Sequence, residues 1–471
     1  MRRTKIVATY GPAISSAKRV SGLVAAGVNV FRINCAHGGT NDFLTAARTI
    51  RAGCQKSDWP VGLLMDIAGP KLRLGRFDGE MKVNRGDTIT LTTGRTDTRK
   101  HILGVNHPAV IRSLQKGHRL FVDDGRIEFK VVSVAGKKVS VKAANSGSIS
   151  SGKGINVPDS KLKIPTVDDK DREDIKTAVR LECDYIALSF VRSVTDLNEA
   201  RQIIKKFGGR QRLIAKLEKR EAIEDLEEII KAADGLMVAR GDLGVELPPA
   251  DLPPLQKRII TLAHKYRKPV IVATQMLESM RFQPRATRAE INDVASAAFD
   301  LVDAVMLSAE TATGKYPSEA VALMSRVIVA TESSRNLPAA IGPMPAKIKE
   351  IPQAIGQAVA SATDNSDPKA IFAFTTTGFT AQMISRLFPN QPIIALTPDN
   401  RVMTHLSLYC AVYPIQIEQP KSFDDMLKIV NQTCRRMKLA GKGDKVIITG
   451  GAPFGSNVPT NFMMFHQVGK K

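Results

Sequence analysis

The 471-residue sequence predicts an α/β protein: a (β/α)8 TIM barrel with an inserted small β-barrel lid domain and a C-terminal open α/β domain. Three features carry that expectation. Eight short, unbroken apolar runs alternate with amphipathic helical stretches, as parallel strands buried on both faces require. The alternation is interrupted once, after the third run, by short strands separated by Gly, Asp and Asn turns. Beyond the last of these runs, a segment rich in Pro and Ala leads into a smaller helix–strand unit.

The barrel strands are expected at Lys5–Tyr10, Asn29–Asn34, Val61–Asp66, Tyr185–Phe190, Leu213–Glu218, Gly235–Ala239, Pro269–Thr274 and Ala304–Ser308. Helices are expected at Asp168–Glu182, Val194–Phe207, Glu221–Ala233, Pro254–Tyr266 and Ser318–Ser334. The inserted strands read as Thr88–Thr92, Arg119–Val122, Glu128–Val134 and Lys137–Ala143, and the chain crosses into and out of them at Gly69-Pro70 and Asn156-Val157-Pro158, a hinge pair. These limits give a barrel of residues 1–68 and 158–336, a lid of 69–157, a linker at Leu337–Lys347 and a C-terminal domain of 345–471. In that last domain strands are expected at Ala370–Thr375, Ile393–Leu396 and Lys445–Thr449, with a helix at Phe423–Met437.

Composition narrows the function classes. A hydrophobic content of 43% with 24% charged residues is that of a globular protein, and no apolar run approaches the ~18 residues of a membrane span. The start, MRRTKIVATYGP, enters a strand at once and leaves no room for a secretory leader. Five scattered cysteines without a CxxC pair argue for free thiols in a cytoplasmic compartment, against a zinc site or a disulfide framework. The net charge of +22 is partly local, since residues 69–165 hold 19 Lys/Arg and 8 Asp/Glu. Aromatic residues are only 5%, so stacking platforms are scarce and nucleic acid is not an expected partner.

The chemistry sits at the strand ends. The sixth run stops abruptly at Arg240-Gly241-Asp242, where charges beside a buried strand are costly unless something uses them. The other ends repeat the pattern: Arg32, Asn34 and His37; Asp66 and Arg73; Lys216 and Glu218; Thr274; Ser308 and Glu310. Lys216 and Glu218 are two apart and so share one side of a strand. Glu218 and Asp242, from adjacent strands, are placed to share Mg²⁺ or Mn²⁺ with positions left open for water and substrate. Arg32, Arg73 and Lys216 form the cationic set that a phosphoryl group in transfer needs.

With these residues in view, the chain resembles the pyruvate kinase family over essentially its whole length, through TKIVATYGPA, FRINCAH, GPKLR, KGINVP, IAKLE, MVARGDLG, PVIVATQMLESM, TRAEINDVA and AVMLSAETATGKYP. The resemblance implies phosphoryl transfer from phosphoenolpyruvate to ADP, giving pyruvate and ATP, by a homotetramer whose inserted domain is a lid. Carried over residue by residue, it implies that Arg32 holds the substrate phosphate, that Lys216 stabilises the phosphoryl in flight, and that Glu218 and Asp242 bind the metal. The backbone at Gly241 and Asp242, with Thr274, would place the substrate carboxylate, and a helix start after Gly241 would favour that anion. Asn34, Cys35, Ala36, His37, Arg73 and Lys153 match nucleotide-contacting positions. Thr274 and Ser308 match the polar group around enolate protonation.

Two departures bear on the monovalent cation. Family members that require potassium read N-F-S-H and D-T-K-G-P-E where this chain has Asn34-Cys35-Ala36-His37 and Asp66-Ile67-Ala68-Gly69-Pro70-Lys71. Asn34 and Asp66 remain, a hydroxyl ligand is gone and a glutamate has become Lys71. A fixed ammonium in place of a bound K⁺ conserves the local charge, so K⁺ is not expected to be required. In the C-terminal domain Thr375, Thr376, Thr377, Gly378 and Thr380 form a hydroxyl-rich turn opening a helix, which resembles the family's effector loop and suggests a sugar-phosphate activator. Two other readings fit parts of the pattern: a metal-dependent aldolase or lyase for 2-oxo acids, and a non-catalytic sugar-phosphate sensor.

Overall fold

The computed structural model of the chain describes residues 1–162, 164–334, 350–453 and 458–469, and the linker expected at Leu337–Lys347 lies outside the described residues. Eight strands, β1 (Lys5–Thr9), β2 (Val30–Asn34), β3 (Gly62–Ile67), β4 (Tyr185–Leu188), β5 (Arg212–Leu217), β6 (Gly235–Ala239), β7 (Val270–Ala273) and β8 (Ala304–Leu307), close into one barrel. All neighbouring pairs are parallel. The pleat sends alternate side chains inward, and Val7, Val30, Leu64, Tyr185, Ile214 and Met237 form the interior layer. The outward faces join the surrounding helices in a single larger core.

The inserted lid follows β3. It consists of a six-stranded sheet and a two-stranded sheet around one apolar core. Four strands beyond those expected complete it: Glu80–Val83, Ile102–Gly104, Gly147–Ser150 and Ile155–Asn156. Gly69, at the first crossing, has φ +65 and donates its N–H to Asp171 Oδ1 at 3.1 Å, a conformation that favours glycine.

The C-terminal domain is an open five-stranded sheet. In spatial order its strands are β11 (Val412–Gln416), β10 (Ile393–Thr397), β9 (Ile371–Phe374), β12 (Lys445–Gly450) and β13 (Phe462–Gln467), with only β13 antiparallel. The two edge strands, β11 and β13, were not expected. Pro414 inside β11 argues against a strand by local rules, and an edge is where such a proline is tolerated. Among the described residues no helix is long and apolar enough to cross a membrane.

This domain plugs the barrel floor. Leu408 joins the interior layer, Lys5 Nζ donates to Val412 O at 2.6 Å, and Tyr185 Oη donates to His405 O. Beside it, Asp303 accepts N–H groups from Val270 at 2.9 Å and Cys410 at 3.0 Å, and pairs with Arg386, whose Nη1 lies 2.7 Å from Oδ2. Both side chains are buried. Removing one partner of a buried pair strands the other charge, at about 3–5 kcal/mol. Arg386→Met is therefore expected to lower the thermal unfolding midpoint and to make the C-terminal domain the first site of limited proteolysis. An unchanged midpoint and digestion pattern would show that the pair does not hold the domains together.

Candidate active site at the barrel mouth

The inward positions along the strands change character from floor to mouth. Val30 is followed inward by Arg32, Leu64 by Asp66, Ala187 by Ser189, and Ile214 by Lys216 and then Glu218, because every second residue faces the same way. The polar ends of one continuous inner surface thus meet under the lid. There they line a cavity of about 410 Å³ that includes Arg32, Asn34, Ala36, Asp66, Lys71, Arg73, Lys153, Lys216, Glu218 and Asp242.

Asp66, 1% exposed, is the hub. Its Oδ2 lies 2.6 Å from Arg32 Nε, and its Oδ1 lies 3.1 Å from Lys216 Nζ. Lys216 also reaches Glu218 Oε1 at 2.9 Å and donates to Ser189 Oγ at 2.7 Å. Burial alone would depress the Lys216 ammonium, but the Asp66 and Glu218 carboxylates outweigh it and hold the proton more tightly than usual. Asp66 is pushed up by burial and pulled further down by Lys216 and Arg32, so it stays ionised. Arg32 Nη1 donates to Thr9 Oγ1 at 3.0 Å.

Glu218 and Asp242 differ from this neutralised cluster. Phe190, held at φ 55, donates its N–H to Glu218 Oε2 at 2.9 Å. Asp242 has a proton affinity raised to about 6, first by burial and then by the Glu218 carboxylate. Two facing carboxylates that repel each other in a buried cavity, with hard oxygen donors and open space beside them, fit a divalent cation. Among the described residues no three His, Cys, Asp or Glu side chains cluster to hold a metal, here or elsewhere, so a cation at this pair would take its remaining ligands from substrate and water.

The remaining expected residues divide. Asn34 Oδ1 accepts the Ala36 N–H at 3.1 Å, Arg73 donates to Gly152 O at 2.9 Å, and Lys153 pairs with Asp123 at 2.8 Å, so the latter two are tied to the lid wall. Lys71 lines the cavity but has no ion-pair partner within 4.0 Å among the described residues, because Asp66 is already occupied by Arg32 and Lys216. Burial lowers the Lys71 proton affinity, with Arg73 and Lys216 adding to it. His37 is likewise depressed, by burial and then by Lys71 and Arg73. Cys35, His37, Gly241, Thr274 and Ser308 are outside the cavity lining. Cys35 is fully buried, its N–H bonded to Asp66 O at 2.9 Å. Thr274, at φ 68, accepts the Gly241 N–H on Oγ1 at 2.9 Å, and the Ser308 N–H bonds Glu310 Oε2 at 2.7 Å. The helix expected to start after Gly241 instead spans Arg240–Glu246, with Ala239 as its cap, so Gly241 lies within the first turn.

Sequence reasoning missed Ser189 and the Phe190 N–H; the only signal was their place at the end of the fourth apolar run. The Thr375–Thr380 turn borders a separate cavity of about 380 Å³. Gly378, at φ +87, caps the Phe379–Ser385 helix and donates to Thr375 Oγ1 at 2.9 Å. Among the described residues lining that cavity, Glu350 is the single charged side chain.

Comparison with known proteins gives one family. The profile of the pyruvate kinase barrel domain matches residues 1–321, and that of the pyruvate kinase alpha/beta domain matches residues 353–466. A pyruvate kinase of Agrobacterium vitis is 40% identical over 470 residues, covering 99% of this chain and 97% of its own. One from Sporosarcina psychrophila is 38% identical, covering 100% of this chain and 81% of its own. The crystal structure of a pyruvate kinase from Cryptosporidium parvum superposes with a TM-score of 0.92 at 31% identity, covering 99% of this chain and 96% of that one.

A cation held by Asp242 would compete with its proton for the same oxygens. A carboxyl with its affinity raised to about 6 is ionised above that pH and neutral below it. The Mg²⁺ concentration that half-saturates thermal stabilisation is therefore expected to be flat above pH ~7 and to rise about tenfold per unit below ~6. A pH-independent midpoint concentration between pH 5 and 8 would exclude Asp242 as a ligand.

Proposed function

The chain belongs to the pyruvate kinase family, and from that premise we propose that it transfers the phosphoryl group of phosphoenolpyruvate to ADP, yielding pyruvate and ATP. The observation that carries this reading is the buried set of Arg32, Lys216, Asp66 and Glu218 at the barrel mouth, next to Asp242. Two converging cations inside a cavity are what a migrating phosphoryl needs as its charge spreads over the equatorial oxygens. In this reading Arg32 binds the phosphate of the substrate and Lys216 stabilises the group in transit, both exchanging Asp66 for phosphate oxygen. Glu218 and Asp242 would hold Mg²⁺ or Mn²⁺, which when bound supplies Lewis-acid polarisation of the substrate oxygens. Gly241 and Asp242 backbone groups with Thr274 orient the substrate carboxylate. Asn34 to His37, Arg73 and Lys153 receive the nucleotide, and Thr274 and Ser308 belong to the polar group where the enolate gains its proton. The aldolase and sensor readings gain no support from the relatives.

The monovalent cation is the finer part of the proposal. Lys71 lies in the same cavity as Asp66, its ammonium without a carboxylate partner among the described residues. That position suits a built-in +1 charge where other members bind K⁺. We also infer a homotetramer, and an effector site at the Thr375, Thr376, Thr377, Gly378 and Thr380 turn. Since no described cation lines that second cavity, a sugar phosphate there would rest on hydroxyl and backbone donors. The five cysteines are free and four of them buried, which suits a reducing, cytoplasmic compartment.

Two measurements test these readings. In a coupled assay, pyruvate should form from phosphoenolpyruvate only when ADP is present, and Lys216→Met should lower kcat by about 10²–10³ or more while substrate still binds. ADP-independent pyruvate formation would point to another reaction. Activity should differ less than about twofold between K⁺-free and K⁺-containing buffer, since the +1 is already fixed. Lys71→Glu should lose activity without K⁺ and regain part of it when K⁺ is added. A strong K⁺ stimulation of the unmodified enzyme would remove Lys71 from this role.

A further inference from the structure

Lys219 and Glu246 have no part in the roles above, yet both are nearly buried, with side chains 14% and 2% exposed. Lys219 Nζ lies 2.6 Å from Glu246 Oε1 and 5.7 Å from the centroid of the Phe190 ring. Asn156, at the lid's second crossing, donates its Nδ2–H to the same Glu246 oxygen at 3.2 Å.

Chain position gives this pair its significance. Lys219 directly follows Glu218 at the end of β5. Glu246 lies four residues after Asp242 on the Arg240–Glu246 helix, so the two share a face. The bond between Lys219 and Glu246 therefore ties the strand end that carries one metal carboxylate to the helix that carries the other. Both carboxylates line the same cavity, and like charges left alone there repel. The lid meets this helix a second time, since a Cβ on Gly125 would stand 3.5 Å from Val245 Cγ2.

We propose that the Lys219–Glu246 pair, braced by Asn156, is a clamp that holds Glu218 and Asp242 at the separation one divalent cation requires. Lys219 and Glu246 are positioning residues, and the inference rests on reading Glu218 and Asp242 as the metal ligands. Because Asn156 belongs to the lid hinge, a hinge movement that shifts it tightens or loosens the clamp, and lid position and cation affinity are linked.

The test is Mn²⁺ binding to the full-length protein without substrate, read as free ion by electron paramagnetic resonance, with the unfolding midpoint in EDTA measured alongside. Glu246→Gln and Lys219→Met are each expected to raise the Mn²⁺ Kd about tenfold, as loss of an outer-sphere support does. Combining them should cost no more than the worse single change, since both remove one bond. If Glu246→Gln fails to fold, Lys219→Met decides. Values within twofold of the unmodified protein overturn the clamp. Asp242→Asn separates the two failures. If it loses Mn²⁺ while the clamp variants keep it, the clamp alone falls. If it binds Mn²⁺ normally, the ligand assignment falls and the clamp with it.

Discussion

Asp66 is the constraint on which the barrel mouth depends. It is buried on the inner surface of β3, and it neutralises Arg32 on one oxygen and Lys216 on the other. Without it, two cations would face each other across a low-dielectric cavity at a cost of several kcal/mol per desolvated ion. With it, and with Glu218, the four charges balance. The side chains are held packed and oriented by their mutual pairing. The cavity is thus organised before any ligand enters, which is where an electrostatic site draws its strength.

How much of this could be read from the residues alone depended on periodicity. A strand that reads apolar at its start and charged at its end announces both its direction and its active end, and Val30–Arg32, Leu64–Asp66 and Ile214–Lys216–Glu218 were legible for that reason. The grouping of their side chains at one end followed from eight parallel strands closing into a barrel. Contacts made across the closure were not legible. Ser189 beneath Lys216, the left-handed Phe190 that turns its N–H to Glu218, and the Lys219–Glu246 bond join residues with no shared local pattern. In the C-terminal domain the edge strands escaped because Pro414 and the half-exposed Phe462–Gln467 segment carry weak strand signals. The helix start beside Gly241 was misplaced by two residues, because helix starts are the least certain part of any local reading.

One strand also joins the two ends of the barrel. β4 carries Tyr185 at the floor, bonded to His405 of the C-terminal domain, and leads to Ser189 at the mouth, bonded to Lys216. His405 in turn contacts Gln382, three residues into the helix that follows the Thr375–Gly378 turn, at 3.2 Å. Hydrogen bonds and the backbone of β4 therefore connect Gly378, whose carbonyl accepts the Gln382 N–H at 3.0 Å, to the Lys216 ammonium. Packed and hydrogen-bonded chains of this kind are one route by which two sites can couple.

The Leu408 plug has a consequence for how the protein is made. The barrel's strands all emerge from the ribosome before the segment that stoppers their underside does. Until Leu408 and its neighbours arrive, Lys5 and Tyr185 lack their acceptors and the inner apolar layer stands open to water. A nascent chain that has finished its eighth strand is thus still an unsealed vessel, and one released early, by a premature stop codon, would be left in that state for chaperones and proteases to sort.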